Sequence, residues 1–129
     1  MRKVLVIEDD FYIRQIYTQS FLNANYQVNE ASNGTDALKL LEKDVYDVIL
    51  LDIMLPKVDG MNILRIIRME NSLNSKSVVF VMTNKDDMND KKEAFEIGVD
   101  KYFIKANFAP KEIVHAAEES LLAKVKPTS

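Results

Sequence analysis

Six residues able to do polar chemistry stand where short apolar runs end. Glu8, Asp9 and Asp10 follow the run 4–7, Asp52 follows 48–51, Thr83 follows 78–82, and Lys105 follows 102–104. Carboxylates brought together repel one another and raise one another's pKa, so their convergence calls for a counter-charge. A divalent cation is the simplest one. Oxygen donors without imidazole or thiolate suit Mg2+, with Mn2+ the alternative, and Mg2+ characteristically keeps places for water and a substrate phosphate. In such a site Asp52 would attack phosphorus. The metal, Lys105 and the Thr83 hydroxyl would neutralise the charge spread over the phosphoryl oxygens. The product would be an aspartyl phosphate.

Each residue also has an ordinary structural reading. Asp10 reads equally as a helix cap, Lys105 alone as a solvated amine, and Thr83 alone as a cap for the helix after it. Asp52 is different, because a carboxylate ending an apolar run is costly without compensation. His115, within the helical stretch 113–117, is assigned no role.

These residues converge only if the intervening chain alternates strand and helix. The run 4–7 reads as a strand, and 11–25 as a helix with Ile13, Ile16, Tyr17, Ser20 and Ala24 on one face. A strand over 26–31 and a helix over 35–43 form the second unit. The continuous run 48–51 has the pattern of a strand covered on both faces, as does 78–82. Between them lie a helix over 61–69, with Ile63, Leu64 and Ile67 in phase, and a polar break over 70–77. The stretch 86–97 reads as a helix with only Met88, Ala94, Phe95 and Ile97 to bury, stopped by Gly98. A short strand, 102–104, precedes a final helix opened by Pro110 that shares Ile113, Val114, Ala117 and Leu121 on one face. Residues 124–129 read as a frayed tail. Five such repeats imply right-handed crossovers, a parallel sheet and helices on both faces, an α/β doubly wound fold. Working groups in such sheets gather beyond the carboxyl ends of the strands.

Composition narrows the classes of function. The 129 residues suit a single core. The absence of Cys removes thiol nucleophiles, disulfides and Cys-based metal sites, and one His leaves little for an imidazole cage. Seventeen basic against 20 acidic residues give a net charge of −3 with no basic cluster, which argues against direct nucleic-acid binding. No apolar run approaches the ~20 residues of a membrane span, and acids follow the first run too soon for a signal peptide, so the expected compartment is the cytoplasm. Gly34, Gly60 and Gly98 are too far apart for a dinucleotide fingerprint or a Walker loop.

With these motifs in order, the sequence resembles a response-regulator receiver domain, the phospho-accepting module of two-component signalling. The matching residues are 4–9 with Arg14 beyond, 52–60, Met82 and Thr83, and 98–105. The resemblance spans about residues 2–124, so the expected organisation is a receiver over 1–124 and a tail over 125–129. It implies the flavodoxin-like strand order 2-1-3-4-5 and phosphorylation of Asp52 by a sensor histidine kinase or a histidine phosphotransfer protein. It further implies Mg2+ held by Asp9, Asp52 and the backbone carbonyl of Met54, with Glu8 acting through water. Thr83 and Tyr102 would form a switch pair that alters the surface of the fourth helix, fifth strand and fifth helix. Such a domain modifies only itself and is not a turnover enzyme. Its output partner is not named by the sequence, its expected state is a monomer or a phosphorylation-dependent homodimer, and the chain is either a stand-alone regulator or part of a longer one.

Two positions depart from the family pattern. Ala106 replaces the proline usual after the lysine, where the family has a cis bond; without proline that bond costs about 3 to 4 kcal/mol, so either it survives under strain or the loop is re-routed. Asn84 replaces a small residue, and it and Lys85 are expected to modulate access to Asp52. The competing readings are a haloacid-dehalogenase-type phosphatase, which needs a second Asp where Met54 stands, and a flavodoxin-like FMN carrier, whose phosphate the acids at 8–10 would repel. A third is a receiver-like docking module that no longer takes phosphate.

Overall fold

The computed structural model of the chain describes residues 1–125. Five strands, β1 (Lys3–Ile7), β2 (Gln27–Ala31), β3 (Val48–Asp52), β4 (Val78–Thr83) and β5 (Lys101–Ile104), alternate with five α-helices. These are α1 (Phe11–Asn23), α2 (Gly34–Lys43), α3 (Gly60–Arg68), α4 (Met88–Ile97) and α5 (Pro110–Val125). The strands form one parallel sheet in the order β2-β1-β3-β4-β5, as the resemblance implies.

Strand alternation divides the core in two. Leu5, Ile7, Ile49, Leu51, Val79 and Val81 face α2, α3 and α4. Val4, Val6, Val48, Leu50, Val78, Phe80 and Met82 face α1 and α5. Because β1, β3 and β4 are covered on both sides, both parities must be apolar, which is why their sequences run without polar interruption. The registers Ile7↔Leu51, Asp52↔Met82 and Thr83↔Ile104 align the carboxyl ends along one edge.

The helices follow local chemistry. Asp10, Asn33, Asp59 and Asp87 each accept a backbone N–H of the helix that follows. Gly98, at φ +123, ends α4 in a conformation that L side chains rarely adopt. Gly60 opens α3 so close to β3 that a Cβ there would lie 2.3 Å from Ile53 Cα. This approach ties α3 directly to the strand that carries Asp52.

Several expectations are corrected. On α1, Ile16 is 51% exposed, whereas Tyr17, Thr18 and Phe21 are buried, so the inward face lies one step round from the one expected. Helix α1 wedges against both β2 and α5, and the bulky Phe21 takes the inner position beside Tyr26. On α4, Met88 and Phe95 are exposed and Ala94 is the buried residue. Lys124 and Val125 continue α5 and do not belong to a frayed tail; the rest of that expected tail, 126–129, lies outside the described residues.

Candidate functional site

The carboxyl edge of the sheet carries an open cleft of about 410 Å3. Glu8, Asp9, Asp10 and Ile13 line one side, Asp52 and Met54 the floor and rim, and Asn84, Lys85 and Lys105 the other side. Thus Glu8, Asp9, Asp52 and Lys105 are brought together, and Asn84 and Lys85 stand at the mouth.

Glu8 is buried and fully engaged. Its N–H donates to Ala31 O at 3.0 Å. Its carboxylate accepts Asp10 N–H at 3.1 Å and Lys105 Nζ at 2.5 Å. Asp10 turns away to cap α1, accepting Ile13 N–H at 3.0 Å, so the capping reading holds for it. Asp9, between them, is exposed at the cleft mouth.

Asp52 is 4% exposed at the end of β3. The chain bends back so that Met54 N–H donates to Asp52 Oδ1 at 2.9 Å, while Lys105 Nζ donates to Oδ2 at 3.2 Å. Beyond Met54, Val58 N–H closes onto Pro56 O at 2.9 Å with Lys57 at φ +72, a γ-turn that sends the chain into α3. One oxygen from each of Glu8, Asp9 and Asp52 lies within 4.8 Å of the others, a grouping found among the described residues.

The electrostatics match this crowding. Burial pushes the Glu8 carboxyl up to about 7, the Lys105 bond opposes the rise, and the Asp52 charge adds to it. Burial by itself would lower the Lys105 pKa, but its hydrogen bond to Glu8 and the charges of Asp52 and Glu8 outweigh that and raise it. Lys105 therefore stays charged and compensates only part of the carboxylate cluster. Three oxygen-bearing acids with one shared amine leave a site short of positive charge, which fits a hard divalent cation.

Lys105 reaches Asp52 through a trans Lys105–Ala106 bond, followed by a 3-10 turn over Lys105–Asn107. Of the two routes open to the sequence, the chain takes the re-routed loop, and the cis alternative is excluded. Thr83 is fully buried; its hydroxyl accepts Lys85 N–H at 3.1 Å and does not line the cleft. Tyr102, one strand over and half-buried, packs against the α2–α4 side of the core with its hydroxyl unpartnered. Burial, with the charges of Asp90, Asp87 and Asp86, pushes that hydroxyl up to about 12. His115 lies on the exposed side of α5, 3.0 Å from Glu119, away from the cleft.

One residue of the cleft wall and one behind it were not legible as functional. Ile13 lines the wall, and Arg14, which served only to mark the motif's register, donates through Nη1 to Glu8 O at 2.9 Å. The available signal was spacing: a long basic side chain in the first turn after an acid pair can fold back over it.

Comparison with known proteins places this geometry. A family model described as response regulator receiver domain matches residues 4–118. The transcriptional regulatory protein ResD of Bacillus subtilis (strain 168) is 35% identical over 128 residues, covering 98% of this chain and 50% of that protein. The chain spans about half the length of the curated relatives it matches. The structure of the Francisella response regulator 1452 receiver domain superposes with TM-score 0.84 at 31% identity, covering 98% of this chain and 100% of that one. The receiver domain of sensor histidine kinase PA1611 from Pseudomonas aeruginosa PAO1, solved with magnesium coordinated in its active-site cleft, shares the fold with TM-score 0.80 at 24% identity, covering 93% of this chain and 97% of that one.

Proposed function

The chain belongs to the response regulator receiver domain family of two-component systems, and from that premise we propose that it accepts a phosphoryl group on Asp52 with the help of Mg2+. The donor is a sensor histidine kinase or a histidine phosphotransfer protein. The observation that carries this reading is the shared amine: Lys105 spans Glu8 and Asp52 inside an acid cluster that opens to solvent.

In the transfer, an Asp52 oxygen forms the new bond to phosphorus as the bond from phosphorus to the donor's imidazole nitrogen breaks, and the imidazole leaves as the neutral ring once protonated. Met54 N–H and Lys105 hold the Asp52 carboxylate in place. Asp9, Asp52 and the Met54 carbonyl would hold the metal, with Glu8 acting through water. The metal supplies charge neutralisation at the phosphoryl oxygens. Lys105 adds a second positive charge.

Thr83 and Tyr102 are the switch in this reading. The Thr83 hydroxyl, which accepts Lys85 N–H, moves to donate its proton to a phosphoryl oxygen, and the half-buried Tyr102 ring with its unpartnered hydroxyl responds, altering the α4, β5 and α5 surface. The domain acts only on its own Asp52 and turns over no other substrate. Its output is a protein or domain on that surface, reached as a monomer or phosphorylation-dependent homodimer in the cytoplasm, without direct contact to nucleic acid or membrane.

The departures at Ala106 and Asn84 favour the docking-module alternative, yet Lys105 reaches Asp52 despite Ala106. The test is incubation with a panel of histidine-phosphorylated donor domains and Mg2+. Transfer giving a hydroxylamine-labile acyl phosphate is expected; no transfer from any donor would favour the docking module.

A further inference from the structure

We infer that Arg14 is a positioning residue for the acid pair: by gripping the Glu8 carbonyl it fixes how Asp9 is presented to the cation. The inference rests on the Mg2+-assisted reading above. Asp9 is exposed, so its direction depends on the backbone that carries it. The peptide joining Glu8 to Asp9 is held at its carbonyl by Arg14 Nη1, 2.9 Å away. One residue earlier the chain is held by Glu8 N–H on Ala31 O, and one residue later by Asp10 N–H on the Glu8 carboxylate. The Arg14 contact completes this set, and its donor lies outside the loop.

Arg14 is itself anchored on two further sides. Its Nε donates to Glu30 Oε1 on β2 at 3.1 Å, an oxygen that also accepts Gln15 Nε2 at 2.8 Å. Its guanidinium carbon lies 5.5 Å from the centre of the Phe11 ring. The planar fork is needed because two nitrogens serve two acceptors at once, which a lysine amine on a flexible stem does not reproduce with the same geometry. A staple joining α1 to β2 would require only the Glu30 contact; the bond to Glu8 O is directed at the metal loop.

The test is calorimetric titration of MgCl2 into the native chain and into Arg14→Ala, Arg14→Lys and Glu30→Gln, with the thermal midpoint of each. Groups that orient metal ligands from outside are worth about tenfold or more in affinity. Arg14→Ala is expected to weaken Mg2+ binding by about that factor. Glu30→Gln is expected to lower the midpoint while leaving Mg2+ affinity unchanged, because it leaves the Glu8 carbonyl contact in place. Equal Mg2+ affinity in Arg14→Ala and the native chain overturns the inference, as does an equal loss in Glu30→Gln. If Arg14→Ala does not fold, Arg14→Lys decides: folded with weakened Mg2+ binding supports positioning, and folded with native affinity overturns it. A native chain that does not bind Mg2+ overturns the functional reading as well, whereas native binding with an indifferent Arg14 overturns this inference alone.

Discussion

Lys105 Nζ lies 3.2 Å from Asp52 Oδ2, joining the ends of β5 and β3 although β4 separates those strands in the sheet. The same amine holds Glu8 at the end of β1, so one side chain ties three strand ends into a single charged cluster. A lysine in the short turn after β5 can do this because its stem reaches over the end of β4 while its ammonium stays between the carboxylates.

Removing that amine isolates two buried carboxylates. Lys105→Met is expected to lose about 3 kcal/mol of stability at slightly alkaline pH, the scale for breaking a buried ion pair from one side. Urea unfolding followed by circular dichroism measures it. Added Mg2+ is expected to restore part of the loss, since the cation replaces the missing positive charge.

The raised Glu8 pKa sets a pH dependence. In the unfolded chain Glu8 loses its proton near 4.5, whereas in the fold it keeps it to about 7. Across that window the folded state binds more protons, so without Mg2+ this residue makes stability fall as pH rises, levelling off above about 7. The difference in unfolding free energy between the native chain and Glu8→Gln, measured across the window, is expected to carry this slope. Mg2+ must displace the same proton, so its apparent affinity is expected to climb over the same range. A pH-independent difference would remove Glu8 as the titrating group.

The strands and the acid cluster were legible because both depend on local sequence. A strand covered on both faces must be continuously apolar, and a carboxylate directly after such a run needs compensation, which made Asp52 readable. Less legible were features that depend on how elements meet. On α1 the apolar stripe suggested Ile16 as well as Tyr17; Tyr17 is buried as expected, but the space between β2 and α5 admits Phe21 in place of Ile16. Asn74 lies in a stretch that reads as a polar break, yet it is fully buried. Its side chain accepts Tyr46 N–H and donates to the carbonyls of Leu41 and Asp44. Sequence does not distinguish a polar residue solvated by water from one solvated by backbone. The trans route through Ala106 likewise depends on three-dimensional placement that spacing does not encode, and for Arg14 spacing offered reach to the acid pair but not the acceptor it grips.

Asn84 stands exposed at the cleft mouth beside Lys85, where the family usually has a small residue. Asn84→Ala is expected to speed labelling by a small donor such as acetyl phosphate severalfold, with little change in labelling by a protein donor that orients its own phosphohistidine. Rates come from quenched time courses. Unchanged labelling by acetyl phosphate would show that Asn84 does not limit access.

The most direct measurement is intact-mass analysis after incubation with acetyl phosphate, with and without Mg2+, on the native chain and on Asp52→Asn. The account predicts the mass gain of one phosphoryl group in the native chain with Mg2+, and none when either the metal or the Asp52 carboxylate is missing. An adduct that persists in Asp52→Asn, or one formed equally without Mg2+, would contradict it.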